Sequence, residues 1–350
     1  MKRGAATQAQ NRMRESGQFQ VLCRTVSRTI ALLLVLLAGA AQAQSGQVSL
    51  LFAGDIMLAD GPGKTIAAGG DPLAPFAELL SKADYRIANL ECAIAAAGTG
   101  QALENKIYSF KATPESANVL RSRFDAVGVA NNHSGDFGPD ALLETLQHVH
   151  AVGVQTFGGG RNATEAHQPH WIERNGLRIA IFAYNEFKPR SFEAAAQIPG
   201  IAWSEDSMVI ADIRAARKAG ADIVIPFMHW GWESELYPTP RQRQLARTMI
   251  DAGADVVVGG HPHVTQGSEY YKGKLIVYSL GNFVFDGFTL PAAKVGWVLR
   301  LNLRKHGLVD WSTRVARMDE AGTPYPDPTA ESPCGKAGDR AVGSCLNTPW

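Results

Sequence analysis

The sequence predicts a mixed α/β domain, and three observations lead to that prediction. Apolar runs too short for helices alternate with segments of helical spacing between residues 48 and 318. Many of these runs end in a polar cluster, which is typical of strands that deliver side chains to the edge of a sheet. Asn175-Gly176 separates two further apolar runs, at residues 171–174 and 177–184, and this dipeptide is a strong signal for a β-hairpin. Because hairpin strands are antiparallel, the predicted sheet cannot be purely parallel.

Composition and charge restrict the class of protein. The chain has 350 residues, of which 45% are hydrophobic and 19% charged, values typical of a soluble globular protein with a substantial core. The formal net charge of +1 shows no basic excess, which argues against a nucleic-acid partner and against an anionic membrane surface. Residues 48–318 contain no internal repeat and no interdomain linker. We therefore predict one domain, residues 44–320, between a leader and a tail.

The leader, residues 1–43, has the pattern of a secretory signal peptide. Basic residues precede an apolar run at residues 30–40, and Ala41-Gln42-Ala43 supplies a small-residue cleavage site. The run is shorter than the roughly 20 residues that span a bilayer. We expect cleavage and a periplasmic or secreted protein, with an uncleaved N-terminal membrane anchor as the alternative.

Cysteine usage agrees with export. Cys334 and Cys345 lie in the Pro/Gly-rich tail, residues 321–350, where a disulfide would close a short loop in an oxidising compartment. We expect this to be the only disulfide, and two free thiols are the alternative. Cys23 falls within the leader, and Cys92 lies next to a motif described below.

The first half of the domain alternates strands and helices. A Gly/Pro-rich loop is predicted from residue 54 to residue 71, and a polar loop or edge hairpin from residue 104 to residue 113. Apolar runs predict strands over residues 48–53, 85–90, 124–130 and 153–157. Helical spacing, or a proline suited to a first turn, predicts helices over residues 73–82, 114–121 and 138–150.

The second half continues the pattern after the hairpin at Asn175-Gly176 and an irregular stretch at residues 187–200. Thr239-Pro240 is a favourable helix start, and Gly220 and Gly253 are favourable helix ends. The helices are predicted over residues 206–220 and 240–253. Strands are predicted over residues 222–228, 255–258 and 275–279, followed by a hairpin of residues 295–303 and 308–318.

Polar residues follow the predicted strands and form a candidate metal site. They are Asp55, Glu91, Asn132, His133, His229, His261 and His263. If these strands are neighbours in a sheet, the side chains converge on one edge. Carboxylates, an amide oxygen and imidazoles suit zinc, manganese or ferrous iron, and the set exceeds what one tetrahedral ion requires. It predicts two ions about 3.5–4 Å apart. The alternative is that these residues are ordinary polar ends of strands facing solvent.

Six short motifs, in order, resemble those of the bacterial capsule-synthesis CapA family, which is tied to poly-γ-glutamate synthesis or export. They are GDIM at residues 54–57, NLE at 89–91, NNHSGD at 131–136, HWGWE at 229–233, GHPHV at 260–264 and YSLGNF at 278–283. The resemblance covers roughly residues 48–318. That family is similar to the calcineurin-like metallophosphatases. The resemblance therefore implies a β-sandwich of mixed sheets flanked by helices, with four αββα layers and a dinuclear site at the strand ends.

The resemblance also implies a role for each candidate residue. Asp55 and His263 would hold the first ion, and Glu91 would bridge. Asn132, His229 and His261 would hold the second ion. His133, positioned by Asp136, would protonate the leaving group, with a structural role as the alternative.

Supporting and substrate-binding roles are assigned in the same way, by resemblance. Asn89 and Asn282 would support the site. Glu233 and Trp230, with Trp232, would line the pocket, although aromatic packing around a loop is an equally good interpretation.

The sequence also departs from the metallophosphatase pattern. Ile56-Met57 follows Asp55 where a histidine is usual, and Glu91 replaces a bridging aspartate. The first ion site is thus short of one ligand. Asp60 stands where many relatives carry a basic residue, which removes one expected substrate contact.

The resemblance implies two functions of different classes. One is a metal-dependent, phosphoesterase-like hydrolase that requires two divalent ions and acts on an envelope polymer or its phosphorylated precursor. The other is a non-catalytic accessory subunit that binds poly-γ-glutamate or its membrane-bound capsule-synthase complex. The expected partner in both is an anionic polymer or precursor. Bound metal and turnover would favour the hydrolase.

Overall fold

The computed structural model describes residues 46–104 and 106–346. The predicted signal peptide lies outside the described residues. The strands of the first sheet are β1 (Val48–Ile56), β2 (Tyr85–Leu90), β5 (Ala126–Gly128), β6 (Gln155–Phe157), β15 (Asn282–Val284), β16 (Val295–Arg304), β17 (Gly307–Met318), β18 (Pro324–Pro326), β19 (Glu331–Lys336) and β20 (Gly343–Leu346). Their order is β20-β19-β17-β16-β1-β2-β5-β6, with β15 beside β1 and β18 beside β17.

The second sheet has six strands. They are β8 (His170–Arg174), β9 (Leu177–Asn185), β11 (Ile223–His229), β12 (Val256–Gly260), β13 (Thr265–Tyr271) and β14 (Lys274–Leu280). Their order is β13-β14-β12-β11-β9-β8. Two short pairs stand apart: β3 (Ala93–Ile94) with β4 (Lys111–Ala112), and β7 (Gly159–Gly160) with β10 (Gly200–Ile201).

The α-helices are α1 (Asp60–Ala67), α2 (Ala77–Leu80), α3 (Gly138–Ala151), α4 (Ala163–Ala166), α5 (Asp206–Lys218) and α6 (Pro240–Ala252). Short 3₁₀ helices cover Ala74–Phe76, Pro114–Leu120, Arg190–Phe192 and Pro291–Lys294. Among the described residues, no helix combines the length and apolar character needed to cross a membrane.

Two stacked sheets with helices outside form four layers. In β1, Leu50 and Phe52 point into the core between the sheets, whereas Leu51 points to the outer core beneath α3. The second sheet repeats this pattern, with Ile225 in the inner core and Val224 packed beneath α5 and α6. Burial on both faces explains why the central strands read as unbroken apolar runs. The predicted αββα sandwich of mixed sheets is confirmed.

Local sequence signals explain several element ends. At the start of α6, Thr239 and Gln242 form a reciprocal capping box, which satisfies backbone N–H groups of the first turn. Between β8 and β9, Asn175 and Gly176 both have positive φ, as the two-residue hairpin turn requires. The predicted hairpin is therefore present.

Three predictions of secondary structure differ from the structure. The loop expected over residues 54–71 contains α1, because Pro62 lies in the first helical turn, where its missing N–H costs no hydrogen bond. The helix expected over residues 73–82 is a 3₁₀ turn, Ala74–Phe76, followed by the α-helical turn α2, and the helix expected over residues 114–121 is a 3₁₀ helix, Pro114–Leu120. Strand β13 was not foreseen.

The segment after residue 320, set apart as a tail by its composition, also forms strands. β18 and β19 pair with β17, and β20 pairs with β19. The predicted Cys334–Cys345 disulfide is present and joins β19 to β20, with a Cα–Cα distance of 5.9 Å. Backbone pairing, rather than side-chain periodicity, places these strands on the sheet.

Candidate metal centre

The candidate site lies where the carboxyl ends of strands from both sheets meet. Asp55 stands near the end of β1, and Glu91 directly follows β2 in the first sheet. His229 ends β11, and His261 directly follows β12 in the second sheet. The strands within each pair run parallel, so their ends fall on the same edge. The sandwich thus brings side chains that are far apart in sequence to one edge, as the strand-end pattern predicted.

Two glycines permit the close approach of the sheets at this edge. A β-carbon on Gly260 would lie 2.8 Å from Asp55 Oδ1, and one on Gly54 would lie 1.9 Å from the Gly281 carbonyl oxygen. Any larger residue at either position would displace Asp55 and the end of β1. The His261 backbone N–H donates to Asp55 Oδ2 at 3.2 Å and ties the two sheets together.

Glu91 lies at the centre of the cluster. Its Oε1 atom is 3.3 Å from His229 Nε2 and 3.7 Å from His263 Nε2. Glu91, His261 and His263 form one group with ligand atoms within 4.8 Å of one another, and Asp55, Glu91 and His229 form a second. Glu91 belongs to both groups, which is the arrangement that a bridging carboxylate requires.

Two buried polar atoms in the cluster have no hydrogen-bond partner among the described residues. Glu91 Oε1 and His261 Nε2 are unpaired within the described part of the chain. His229 Nε2 lies 2.7 Å from Asn132 Oδ1 and 3.0 Å from His261 Nδ1. Both neighbours can act as acceptors, so more lone pairs than protons are present around this nitrogen. Ring protons can satisfy only some of these contacts. A divalent cation would satisfy the rest, so the residues present fit a metal.

Burial sets the protonation preferences of the cluster. It raises the pKa of Asp55 to about 7 and raises the pKa of Glu91 well above its usual range. It lowers the pKa of His263 to about 4 and lowers the pKa of His229 and His261 well below the usual value. The imidazoles are therefore neutral, which is the form that binds metals.

Outer hydrogen bonds hold the predicted ligands. Asn282 Oδ1 lies 2.8 Å from His263 Nδ1, and Asn89 Nδ2 donates to Asp55 Oδ1 at 2.9 Å. Both contacts agree with the support predicted for Asn89 and Asn282. Asn131, which the sequence analysis did not single out, donates to Asn89 Oδ1 at 3.0 Å. Such partners fix the orientation of metal ligands.

His133 and Asp136 lie beside the ligand cluster. His133 Nδ1 is 2.7 Å from Asp136 Oδ2, and both side chains are buried. Lys106 joins them from a separate segment, with its ammonium paired to Asp136. The sequence analysis missed Lys106 because the surrounding polar residues carried no motif.

The predicted pocket-lining residues separate into two environments. Glu233 is exposed and close enough to raise the pKa of Glu91, after burial and Asp55. Trp232 is 56% exposed and lies against Phe187, whose ring contacts His261. Trp230 is fully buried, and its indole N–H donates to the Tyr278 carbonyl oxygen at 2.9 Å. The prediction that Trp230 lines the pocket was therefore wrong, because a side chain without exposed surface cannot contact a substrate.

Comparison with known proteins decides the family. Residues 49–287 match the family model described as bacterial capsule synthesis protein PGA_cap. The chain belongs to this bacterial capsule-synthesis family. It is 34% identical to the PGA biosynthesis protein CapA of Bacillus subtilis (strain 168), over 80% of this chain and 73% of that protein. It is also 34% identical to the capsule biosynthesis protein CapA of Bacillus anthracis, over 54% of this chain and 46% of that protein.

Other similar proteins have different descriptions. A probable polyglutamine synthesis accessory protein of Mycobacterium tuberculosis (strain ATCC 25618 / H37Rv) is 30% identical over 58% of this chain and 56% of that protein. Among solved structures, the NAD nucleotidase of Haemophilus influenzae aligns with a TM-score of 0.47 and 12% identity. That alignment covers 81% of this chain and 60% of the nucleotidase.

Proposed function

We propose that this capsule-synthesis family member is a metal-dependent hydrolase that cleaves a phosphoester or another polymer-linked bond. Its substrate would be an anionic envelope polymer or the phosphorylated precursor of one, and its compartment the periplasm or the exterior. The observation that carries the proposal is the position of Glu91. This carboxylate is fully buried, belongs to both ligand groups and has an unpaired oxygen facing two imidazoles. Such an arrangement serves no evident structural purpose without cations.

The ligands would divide between two ions of manganese, iron or zinc. By the resemblance, Asp55 and His263 would hold one ion, whereas the two groups of close ligand atoms place Asp55 with His229 and His263 with His261. Asn132, His229 and His261 would hold the other, and Glu91 would lie between the two. When bound, the ions supply Lewis acidity and lower the pKa of water towards neutrality.

The remaining steps fall to residues of the chain. His133 would carry protons on both ring nitrogens before this step, giving the Nε2 proton to the leaving oxygen while the Nδ1 proton stays donated to Asp136. Asp136 would keep the ring in one orientation. Trp232 and Glu233 stand at the exposed rim, where they would contact the parts of the substrate beyond the reacting bond.

The experiment is elemental analysis of the purified protein, followed by hydrolysis of a chromogenic phosphodiester with added Mn²⁺. We expect bound metal and turnover. His229→Ala should lower the rate at least about 100-fold, since even outer-sphere partners of a metal are worth 10–100-fold. His306→Ala, at an exposed turn, is the matched control and should not change the rate. A protein without metal and without turnover would refute the hydrolase.

A second function has its own support in the description of the mycobacterial relative as an accessory protein of polymer synthesis. In that case the cleft would bind poly-γ-glutamate or its membrane-bound synthase without cleaving it. Binding of poly-γ-glutamate by the EDTA-treated protein, measured by calorimetry, distinguishes the two functions. Equal affinity with and without metal would favour the accessory function.

A further inference from the structure

The segment from Leu103 to Phe110 is attached to Asp136 at three points. The Leu103 N–H donates to the Asp136 carbonyl oxygen at 3.0 Å, and the Phe110 N–H donates to Asp136 Oδ2 at 2.8 Å. Between them, the Lys106 ammonium forms an ion pair with Asp136 Oδ1. Asp136 therefore holds both ends and the middle of this segment next to His133.

The Lys106 ammonium also reaches the ligand loop. Its side chain is only 17% exposed, and Nζ donates to the Asn132 carbonyl oxygen at 2.7 Å. Removing an ammonium from water is costly unless it gains strong partners. A buried lysine with one carboxylate and one carbonyl has such partners. The same ammonium thus joins the backbone of a predicted ligand to the carboxylate that orients His133.

The geometry around His133 Nδ1 selects one tautomer. Nδ1 lies 2.7 Å from Asp136 Oδ2 and 3.0 Å from Lys106 Nζ. An ammonium can only donate, so Nδ1 would have to be unprotonated to accept from it. An unprotonated Nδ1 would then face the lone pairs of the carboxylate at the shorter distance. The proton therefore resides on Nδ1 and is donated to Asp136. Nε2, which makes no hydrogen bond with any described residue, is left for a substrate.

We propose that Lys106 is a positioning residue of the candidate site. Its ammonium fixes Asp136 and the Asn132 backbone, so that neutral His133 keeps its proton on Nδ1 and Nε2 is the nitrogen that takes up a proton from water and passes it to the leaving oxygen. The catalytic part of this inference rests on the proposed hydrolase function. The structural part, a single tautomer that depends on Lys106, does not.

The test compares Lys106→Met with Lys106→Arg and with Lys111→Met. Lys111 directly follows this segment in β4, and its ammonium donates to the carbonyl oxygens of Ala97 and Thr99 rather than to a residue of the site. The first readout is the ¹⁵N NMR spectrum of ring-labelled histidines in the metal-free protein, with His133→Asn to assign the signals. We expect a single Nδ1–H tautomer for His133 in the unmodified protein and in Lys111→Met. We expect a mixture of tautomers in Lys106→Met and partial recovery in Lys106→Arg.

The second readout is steady-state kinetics with the chromogenic phosphodiester and Mn²⁺. Lys106→Met should lower kcat about 100-fold, near the lower limit of what acid–base catalysis contributes. KM should change by less than about threefold, because the group acts on proton transfer and not on binding. The metal content should equal that of the unmodified protein. If Lys106→Met does not fold, Lys106→Gln, which keeps a donor without the charge, replaces it.

The outcomes separate the two proposals. An unchanged tautomer in Lys106→Met, or an unchanged kcat, would overturn the role of Lys106. If the unmodified protein binds metal but shows no turnover, the hydrolase proposal fails, and the NMR comparison alone decides whether Lys106 sets the tautomer.

Discussion

The two ends of strand β12 bury carboxylates in opposite ways. At its start, Asp255 is 4% exposed and accepts from the Val224 N–H at 3.0 Å and from Lys274 Nζ at 2.7 Å. Arg217 forms a third contact with the same carboxylate. At its end, the strand leads into His261, beside Asp55 and Glu91. Among the described residues, neither of those two acids forms an ion pair with lysine or arginine.

This difference separates a structural end of β12 from the end that we propose binds metal, called the binding end below. The Asp255 carboxylate has its cations in the fold and stabilises it without help. At the other end, burial raises the pKa of Asp55 to about 7, so the ionised cluster lowers the stability of the metal-free fold. Among the described residues, Lys106 acts on Glu91 only from beyond ion-pair distance and no lysine or arginine pairs with Asp55, so added cations would supply most of the charge balance. The predictions below test this contrast in order of expected effect.

Glu91→Gln should have the largest effect on function. Loss of the shared carboxylate should remove bound metal and lower turnover at least about 1,000-fold, since metal ions contribute several kcal/mol to the transition state. The measurement is metal content with kcat/KM for the chromogenic phosphodiester. A variant that retains two ions and full activity would contradict the assignment of the binding end.

The same variant should leave the metal-free fold at least as stable as before at neutral pH. The pKa of Glu91 is raised in the folded state, so the folded protein binds more protons than the unfolded one above about pH 4.5, the usual value for glutamate. The stability of the metal-free protein therefore falls as pH rises. The Glu91→Gln variant does not lose this stability, because its amide does not titrate. The measurement is urea unfolding in EDTA at pH 5 and pH 8. The free energy of unfolding of the variant, relative to that of the unmodified protein, should be higher at pH 8 than at pH 5.

Asp255→Asn should give the opposite result at the other end of the strand. Removing the buried carboxylate leaves Arg217 and Lys274 without their partner. Because these cations are 31% and 37% exposed, the cost should be smaller than for a fully buried network, about 2–3 kcal/mol. Urea unfolding measures this loss, and metal stoichiometry should remain unchanged. Equal losses of stability in this variant and in Glu91→Gln would remove the distinction between the two ends.

The sequence predicted which strand ends lie together better than it predicted local structure. Each ligand candidate follows an apolar run, and parallel pairing of β1 with β2 and of β11 with β12 brings those ends together. The apolar run of a central strand is enough to predict that strand from the sequence. The tail strands β18–β20 carry no such run and depend on pairing with β17, which no local pattern reveals.

Contacts distant in sequence were beyond prediction for the same reason. Lys106 reaches Asp136 across 30 positions, from a segment with no regular periodicity. Trp230 was assigned to the pocket by resemblance, but it directly follows β11 and its indole packs in the same core cluster as Met228. Neighbours along a strand point to opposite faces, and that rule would have placed Trp230 correctly.

Asn282→Ala should have the smallest effect of the three substitutions. It tests which contacts hold His263 in place at the binding end. Asn282 Oδ1 faces His263 Nδ1 at 2.8 Å, and Nδ2 donates to the Ala293 carbonyl oxygen at 2.9 Å. Loss of the acceptor should lower metal affinity about 10–100-fold, as for other outer partners of ligating histidines. Asn282→Asp is the matched control, because it keeps the acceptor for His263 but not the donor. Titration with Mn²⁺ should show near-normal affinity for Asn282→Asp, whereas equal weakening in both variants would mean that Asn282 acts through the backbone and not through His263.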